Sequence, residues 1–136
     1  MPMTEPAAPT SKTAIWAGRA MSGLVILFLL LDGAMKLIPL DVVLKASEPL
    51  GIPDSLARML GILTLGCTLL YAFPRTAVLG AILLTGYLGG AVATHLRVGD
   101  PLFTHVLFGV YLGLLVWGGL YLRDGRLRAL IPLQRD

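Results

Sequence analysis

Four stretches of the 136-residue chain are almost free of charge: residues 20–31, 59–74, 76–94 and 102–122, the last interrupted only by His105. Their apolarity is continuous and lacks the alternation that a lumen-facing barrel wall requires, so the pattern predicts helices and not strands. With its boundary residues each stretch reaches the roughly 20 residues that cross a hydrocarbon core about 30 Å thick. The expected spans are residues 14–38, 55–73, 76–96 and 102–122. Pro74 divides the second from the third in a very short turn, Asp100 with Pro101 offers an N-cap and first helical position, and Gly125 follows the fourth. Short turns make neighbours antiparallel. The expected fold is therefore all-α, an integral membrane four-helix bundle with up-down topology.

The longest connection, residues 39–54, has a pattern of its own. Leu40, Val43 and Leu44 fall on one helical face and Asp41, Lys45 and Glu48 on the other, which predicts a short interfacial helix stopped by Pro49, Gly51 and Pro53. Residues 1–13 hold three prolines and no apolar core, so they read as a flexible cytoplasmic tail ahead of a membrane domain at 14–127, with a second cytoplasmic tail at 128–136. No small-residue cleavage site follows a short apolar stretch near the start, so uncleaved insertion is expected.

Composition supports the membrane reading. Hydrophobic residues make up 56% of the chain and charged residues 14%, where a soluble surface usually needs about 25% charged residues. Disorder and a collagen-like chain are excluded on the same ground. Cys67 is the single cysteine, which excludes a disulfide-stapled module and dithiol redox chemistry within the chain. The net charge of +3 is scattered, so no nucleic-acid partner is expected. Lys12, Arg19, Arg75, Arg123, Arg126, Arg128 and Arg135 fall on the side of the termini, against Lys36, Lys45, Arg58 and Arg97 on the other. The bias predicts a multi-pass protein, of bacterial inner-membrane type, with both termini cytoplasmic and with Trp16 and Tyr121 anchored at that interface.

Small residues supply close contacts between apolar helices. Gly86-x-x-x-Gly90-x-x-x-Thr94, Ala77-x-x-x-Ala81 and Gly109-x-x-x-Gly113 are expected to pack mainly within the chain, and a homodimer through one of them is compatible with the pattern.

Polar residues within or beside the spans are costly in hydrocarbon and usually face the bundle or a wet cavity. The expected topology gathers Asp32, Lys36, Arg58, His95, Arg97, Asp100 and His105 on the outer side. Asp32 and Lys36 stand in the favoured i,i+4 order for an ion pair, and Lys36 could also snorkel to the interface. Arg58 is placed to pair with Asp54 or to reach the headgroups, and Asp100 to cap the fourth span. Two histidines and one aspartate suggest metal ligands, but their spacing supports no metal site. The geometry of a helix, about 100° per residue, puts Arg97 on the face of Gly86, Gly90 and Thr94, expected inward, with His95 beside it and His105 on the opposite wall. Asp32, Lys36, His95, Arg97 and His105 are thus the candidate ligand-binding set for an anionic or quinone-like head group, with Arg58 and Asp100 structural or lining. No catalytic residue is singled out.

Asp32-Gly33-x-x-Lys36 at the end of the first span, with the run from Gly86 through Thr94-His95-Leu96-Arg97-Val98-Gly99-Asp100-Pro101 to Phe103, resembles the DoxX-like family of small four-span membrane proteins over residues 14–127. The resemblance implies a compact membrane bundle with relatives associated with thiosulfate–quinone oxidoreduction, oxidative-stress complexes and membrane-protein assembly, and it assigns no catalytic residue. The Gly-rich runs lie within spans and follow no strand, so no intrinsic flavin, haem or iron–sulfur site is expected, and electron chemistry would require a quinone or a redox partner. The leading expectation is a membrane subunit of a redox or quinone-linked system with an outward-facing polar pocket. The alternative is a non-catalytic assembly or stability factor for another membrane protein. A solute carrier is disfavoured, because four helices without inverted repeats make alternating access difficult. Whether the chain is an enzyme stays open at this stage.

Overall fold

The computed structural model describes residues 10–131, and every regular element among them is helical. Six α-helices follow in order: α1 (Lys12–Leu37), α2 (Asp41–Ser47), α3 (Ala57–Ala72), α4 (Ala77–Arg97), α5 (Phe108–Arg123) and α6 (Gly125–Leu130). The long helices α1, α3, α4 and α5 are the four spans. They pack in a ring, α1 against α3 and α5, and α4 against α3 and α5, as short antiparallel connections require. Much of their apolar surface faces outward: Leu24, Leu27 and Leu31 on α1, Ile62 on α3, Ile82 on α4 and Leu114 on α5 are all exposed. In water such a surface would aggregate; against lipid tails it is the required solvent-facing side. The chain is a four-helix membrane bundle.

Local chemistry explains where the elements depart from the expected boundaries. The first span begins at Lys12, not at residue 14, because the Ser11 hydroxyl caps it by accepting the Ala14 N–H at 3.2 Å. The last residues of the expected tail, Lys12 and Thr13, are therefore helical, and residues 1–9 lie outside the described part. A 3₁₀ turn over Asp54–Leu56 leads into α3. The surface helix between the first two spans is present as α2, extended by a 3₁₀ turn at Glu48–Leu50 and ended by Gly51 at φ 72°. Its Val43 and Leu44 are half-buried while Asp41, Lys45 and Glu48 face out.

The fourth span does not start as an α-helix. Leu102–Val106 forms a π-helical turn in which the Pro101 carbonyl accepts the N–H groups of both His105 and Val106, each at 3.1 Å. Gly125, expected as a stop, instead opens α6, since the Asp124 carboxylate caps that helix by accepting the Arg126 N–H at 3.0 Å. This helix crosses the expected boundary at 127.

Close backbone approach holds the ring. A Cβ on Gly61 of α3 would lie 2.6 Å from the Leu37 nitrogen and 2.8 Å from the Gly33 carbonyl oxygen, so only glycine lets α1 and α3 meet here. Gly80 of α4 likewise lies against the backbone of Tyr71. Ala77, Ala81 and Gly109 are buried as expected, Gly109 against Val92 and Leu88. The other small-residue face is reversed. A Cβ on Gly86, Gly90 or Gly113 would meet nothing within 4 Å, and Gly89 is equally open. In lipid both faces of such a helix are apolar, so the spacing fixes a stripe without fixing its direction.

Candidate functional site

The end of the bundle away from the termini carries the predicted polar residues, divided among three neighbourhoods. In the first, Lys36 Nζ donates to Asp32 Oδ2 at 2.6 Å and to the Tyr87 hydroxyl at 3.0 Å. Asp32 and Lys36 share one face of α1, as the i,i+4 spacing predicts, while Tyr87 comes from α4. The ammonium also lies 5.6 Å from the centre of the Tyr87 ring, a cation–π distance. One lysine thus ties two spans that are not neighbours in sequence, and its charge and two of its three donors are engaged.

The second neighbourhood is the α4–α5 connection. His95 Nδ1 stands 2.6 Å from Asp100 Oδ2, and the Asp100 N–H returns to the His95 carbonyl at 3.1 Å. Asp100 is therefore not the side-chain cap expected for the fourth span; the following turn has no side-chain cap, and the carboxylate is committed to His95. The tight Val98–Gly99 reversal, with Gly99 at φ 75°, folds the acid back onto the helix it has just left. His105, carried by the π turn, brings its ring edge-on to that of His95 with centroids 5.9 Å apart. Its own Nδ1 lies 2.8 Å from the Thr104 hydroxyl. The two histidines do converge.

Arg97 belongs to a third neighbourhood. Its guanidinium donates to the Leu50 carbonyl at 2.7 Å, which fastens the far end of α4 to the 3₁₀ turn after α2. Because the Gly86–Gly90 face points out of the bundle, Arg97 follows it outward and is exposed. Arg58 behaves similarly: its Nε donates to the Leu37 carbonyl at 3.4 Å, satisfying an orphan carbonyl at the end of α1, and it forms no ion pair with Asp54 among the described residues. Among the described residues no hydrogen bond or ion pair joins Asp32 or Lys36 to His95, Arg97 or His105, and no three His, Cys, Asp or Glu side chains converge as a metal would need.

What this arrangement can do chemically centres on His95. An ionised Asp100 takes the Nδ1–H, fixes the tautomer and leaves Nε2 as the proton acceptor. A histidine so held accepts a proton from a hydroxyl and, once protonated, donates to a carbonyl oxygen. Both side chains of the dyad retain 27% of their accessible surface, so a ligand can reach them. Leu96, next to His95 in the chain, and Phe103, two residues before His105, are exposed and apolar.

The structure also holds a polar network that sequence reasoning did not single out. The Tyr71 hydroxyl, fully buried, donates to the Val116 carbonyl at 2.7 Å. Having only one proton, it must accept from Ser22 Oγ, 2.7 Å away, and Ser22 in turn accepts from the Arg123 guanidinium at 3.2 Å. Three spans are joined by this chain of donors, which runs inward from the end of the termini. A serine and a tyrosine in apolar runs give no signal of such a meeting; only the rotational setting of three helices brings them together.

A model of the DoxX-like family matches residues 20–119. The chain belongs to the DoxX-like family. No curated protein and no solved structure matches it significantly. The DoxX-like region takes in Asp32, Lys36, Tyr87, His95, Asp100 and His105, and leaves out Arg19, Arg123 and α6.

Proposed function

We propose that this DoxX-like protein is a membrane subunit of a redox system, in a bacterial inner membrane with both termini cytoplasmic, and that its outer polar end binds a quinone head group. The single observation that carries this reading is the His95–Asp100 pair beside His105, on a connection whose Leu96 and Phe103 are exposed and apolar. A quinone needs a donor for each carbonyl and lipid-like surroundings for its tail. A quinol needs a base for each proton it gives up. His95 Nε2 serves either state, and the reading assigns the second oxygen to His105. Oxidation of a quinol also releases two electrons, and the residues here offer no acceptor for them, so the reading requires a redox partner in the membrane or at its surface. Six Lys and Arg at the terminus end among the described residues, against four at the other, support the orientation.

The test is purification in mild detergent followed by mass spectrometry of co-purified quinones, lipids and proteins. Wild-type protein retains a quinone, and Asp100→Asn or His95→Leu lowers retention about tenfold or more while the bundle stays folded. Retention unchanged by both substitutions defeats the proposal.

A second reading, a non-catalytic assembly or stability factor, is favoured by the open Gly86, Gly89 and Gly90 face of α4, which is shaped for a close-packed transmembrane helix of another protein. Capture of one stable membrane partner without quinone would select it.

A further inference from the structure

We propose that the terminus end of the bundle carries a separate site, which binds the phosphate of an anionic phospholipid. A cavity of about 630 Å³ opens there, and Arg19, Arg75, Arg123, Arg126 and Asp124 contribute to its lining. Asp124 is already engaged, capping α6 and lying 3.5 Å from Arg126 Nε. Among the described residues Arg19, Arg75 and Arg123 have no carboxylate partner. Three cations from three different elements, the start of α1, the α3–α4 turn and the end of α5, therefore line one space whose single carboxylate among the described residues, Asp124, is paired with Arg126.

Arg123 adds an independent observation. Its terminal nitrogen donates to Ser22, but its buried Nε–H has no hydrogen-bond partner among the described residues. A buried guanidinium N–H left unmade is costly, and a small rotation of the fork toward an anion oxygen would satisfy it. Guanidinium groups match phosphate oxygens in pairs, and several around one cavity match a phosphate better than a single carboxylate.

The surroundings select lipid over a dissolved anion. Ile15, Val78 and Leu130 line the same cavity and offer an acyl chain apolar contacts beside the charges. Trp16 and Tyr121, at the same end, mark the headgroup level. Arg19 lies about 10 Å along α1 from its first residue, deep enough to meet a phosphate from within the interface. Basic pockets between spans are known in general to hold lipid head groups. None of His95, Asp100 and His105 lines this cavity, so the site does not depend on the quinone reading.

The experiment is native mass spectrometry of the full chain from a neutral detergent, titrated with phosphatidylglycerol, with phosphatidylcholine or with inorganic phosphate. One phosphatidylglycerol is retained per chain, and phosphatidylcholine far less. Arg75→Gln, in an exposed turn, weakens phosphatidylglycerol binding about fivefold and Arg19→Gln/Arg75→Gln about 30-fold, at about one such factor per arginine. Lys12→Gln, outside the cavity lining, changes it less than twofold. Circular dichroism and unfolding in phosphatidylcholine confirm that the variants fold. Equal weakening by Lys12→Gln reduces the effect to diffuse attraction and overturns the site. Binding of inorganic phosphate that displaces the lipid at millimolar concentration overturns the lipid assignment.

Discussion

Ser22 on α1 and Tyr71 on α3, 49 residues apart, meet through their hydroxyls at 2.7 Å in the interior of a bundle packed mainly by aliphatic side chains. The bond is directional, because Tyr71 spends its proton on the Val116 carbonyl of α5. Tyr71→Phe keeps the ring and removes the hub, stranding the Ser22 proton and taking away the second bond of the Val116 carbonyl, which keeps its helical one. A loss of about 1–3 kcal/mol is expected, read as a lower unfolding temperature in detergent. Adding Ser22→Ala to Tyr71→Phe should cost less than the sum of the two single changes, since they delete one shared bond. Strict additivity would show that the hydroxyls do not interact.

Asp32 and Lys36 should behave as a coupled unit. Removing Lys36 alone leaves a carboxylate in the far half of a span, and removing Asp32 alone leaves an ammonium with only Tyr87 for a partner. Asp32→Leu/Lys36→Met should therefore be less destabilised than the worse single variant, with a coupling of about 1–2 kcal/mol, between exposed and buried pairs. The pair retains 21% and 33% of its side-chain exposure, which argues against the upper end for fully buried ions. A double-mutant cycle on unfolding in detergent measures it.

The spans were legible because every residue in them reports the same property, and Asp32 with Lys36 because a four-residue spacing has one geometric meaning on a helix. The meeting of His95 and His105 followed from a short connection between antiparallel helices. Other features depend on rotation about helix axes, which hydropathy encodes poorly when the solvent is as apolar as the core. That is why Gly86 and Gly90 point outward while Gly109 packs in, and why Arg97 leaves the candidate pocket for Leu50. Asp100 before Pro101 carried a capping signal, but the π turn that follows left its side chain free for His95. Asp124 and Gly125 had the same ambiguity: a glycine after a long helix reads as a stop, yet an aspartate before it can cap the next helix.

The proposed orientation predicts a labelling pattern. In a Cys67→Ser background, single cysteines at Glu48 and Val98, both in far-end connections, should react with an impermeant thiol reagent on intact cells. Cysteines at Thr10 and Ala129, at the terminus end, should react only after permeabilisation. Labelling of Thr10 and Glu48 from the same side would be incompatible with four spans.

Two glycine substitutions should separate intramolecular packing from an open face. Gly61→Ala puts a methyl group 2.6–3.0 Å from backbone atoms of Gly33 and Leu37, atoms that cannot rotate away as a flexible side chain would. The helices α1 and α3 must move apart, at a cost of about 1–3 kcal/mol as for other overpacked contacts. Gly86→Ala meets nothing within 4 Å and gains helix propensity, so in the isolated chain it should be neutral or stabilising by up to about 1 kcal/mol. Both are read from unfolding in detergent at low protein concentration. Repeating the Gly86→Ala measurement in a bilayer at high protein density distinguishes the monomeric face from a helix–helix contact: a variant that is sound when dilute but loses self-association in the bilayer would place a second copy against Gly86. Destabilisation of the dilute monomer by Gly86→Ala would instead mean that the stripe packs within the chain, contrary to the open face described.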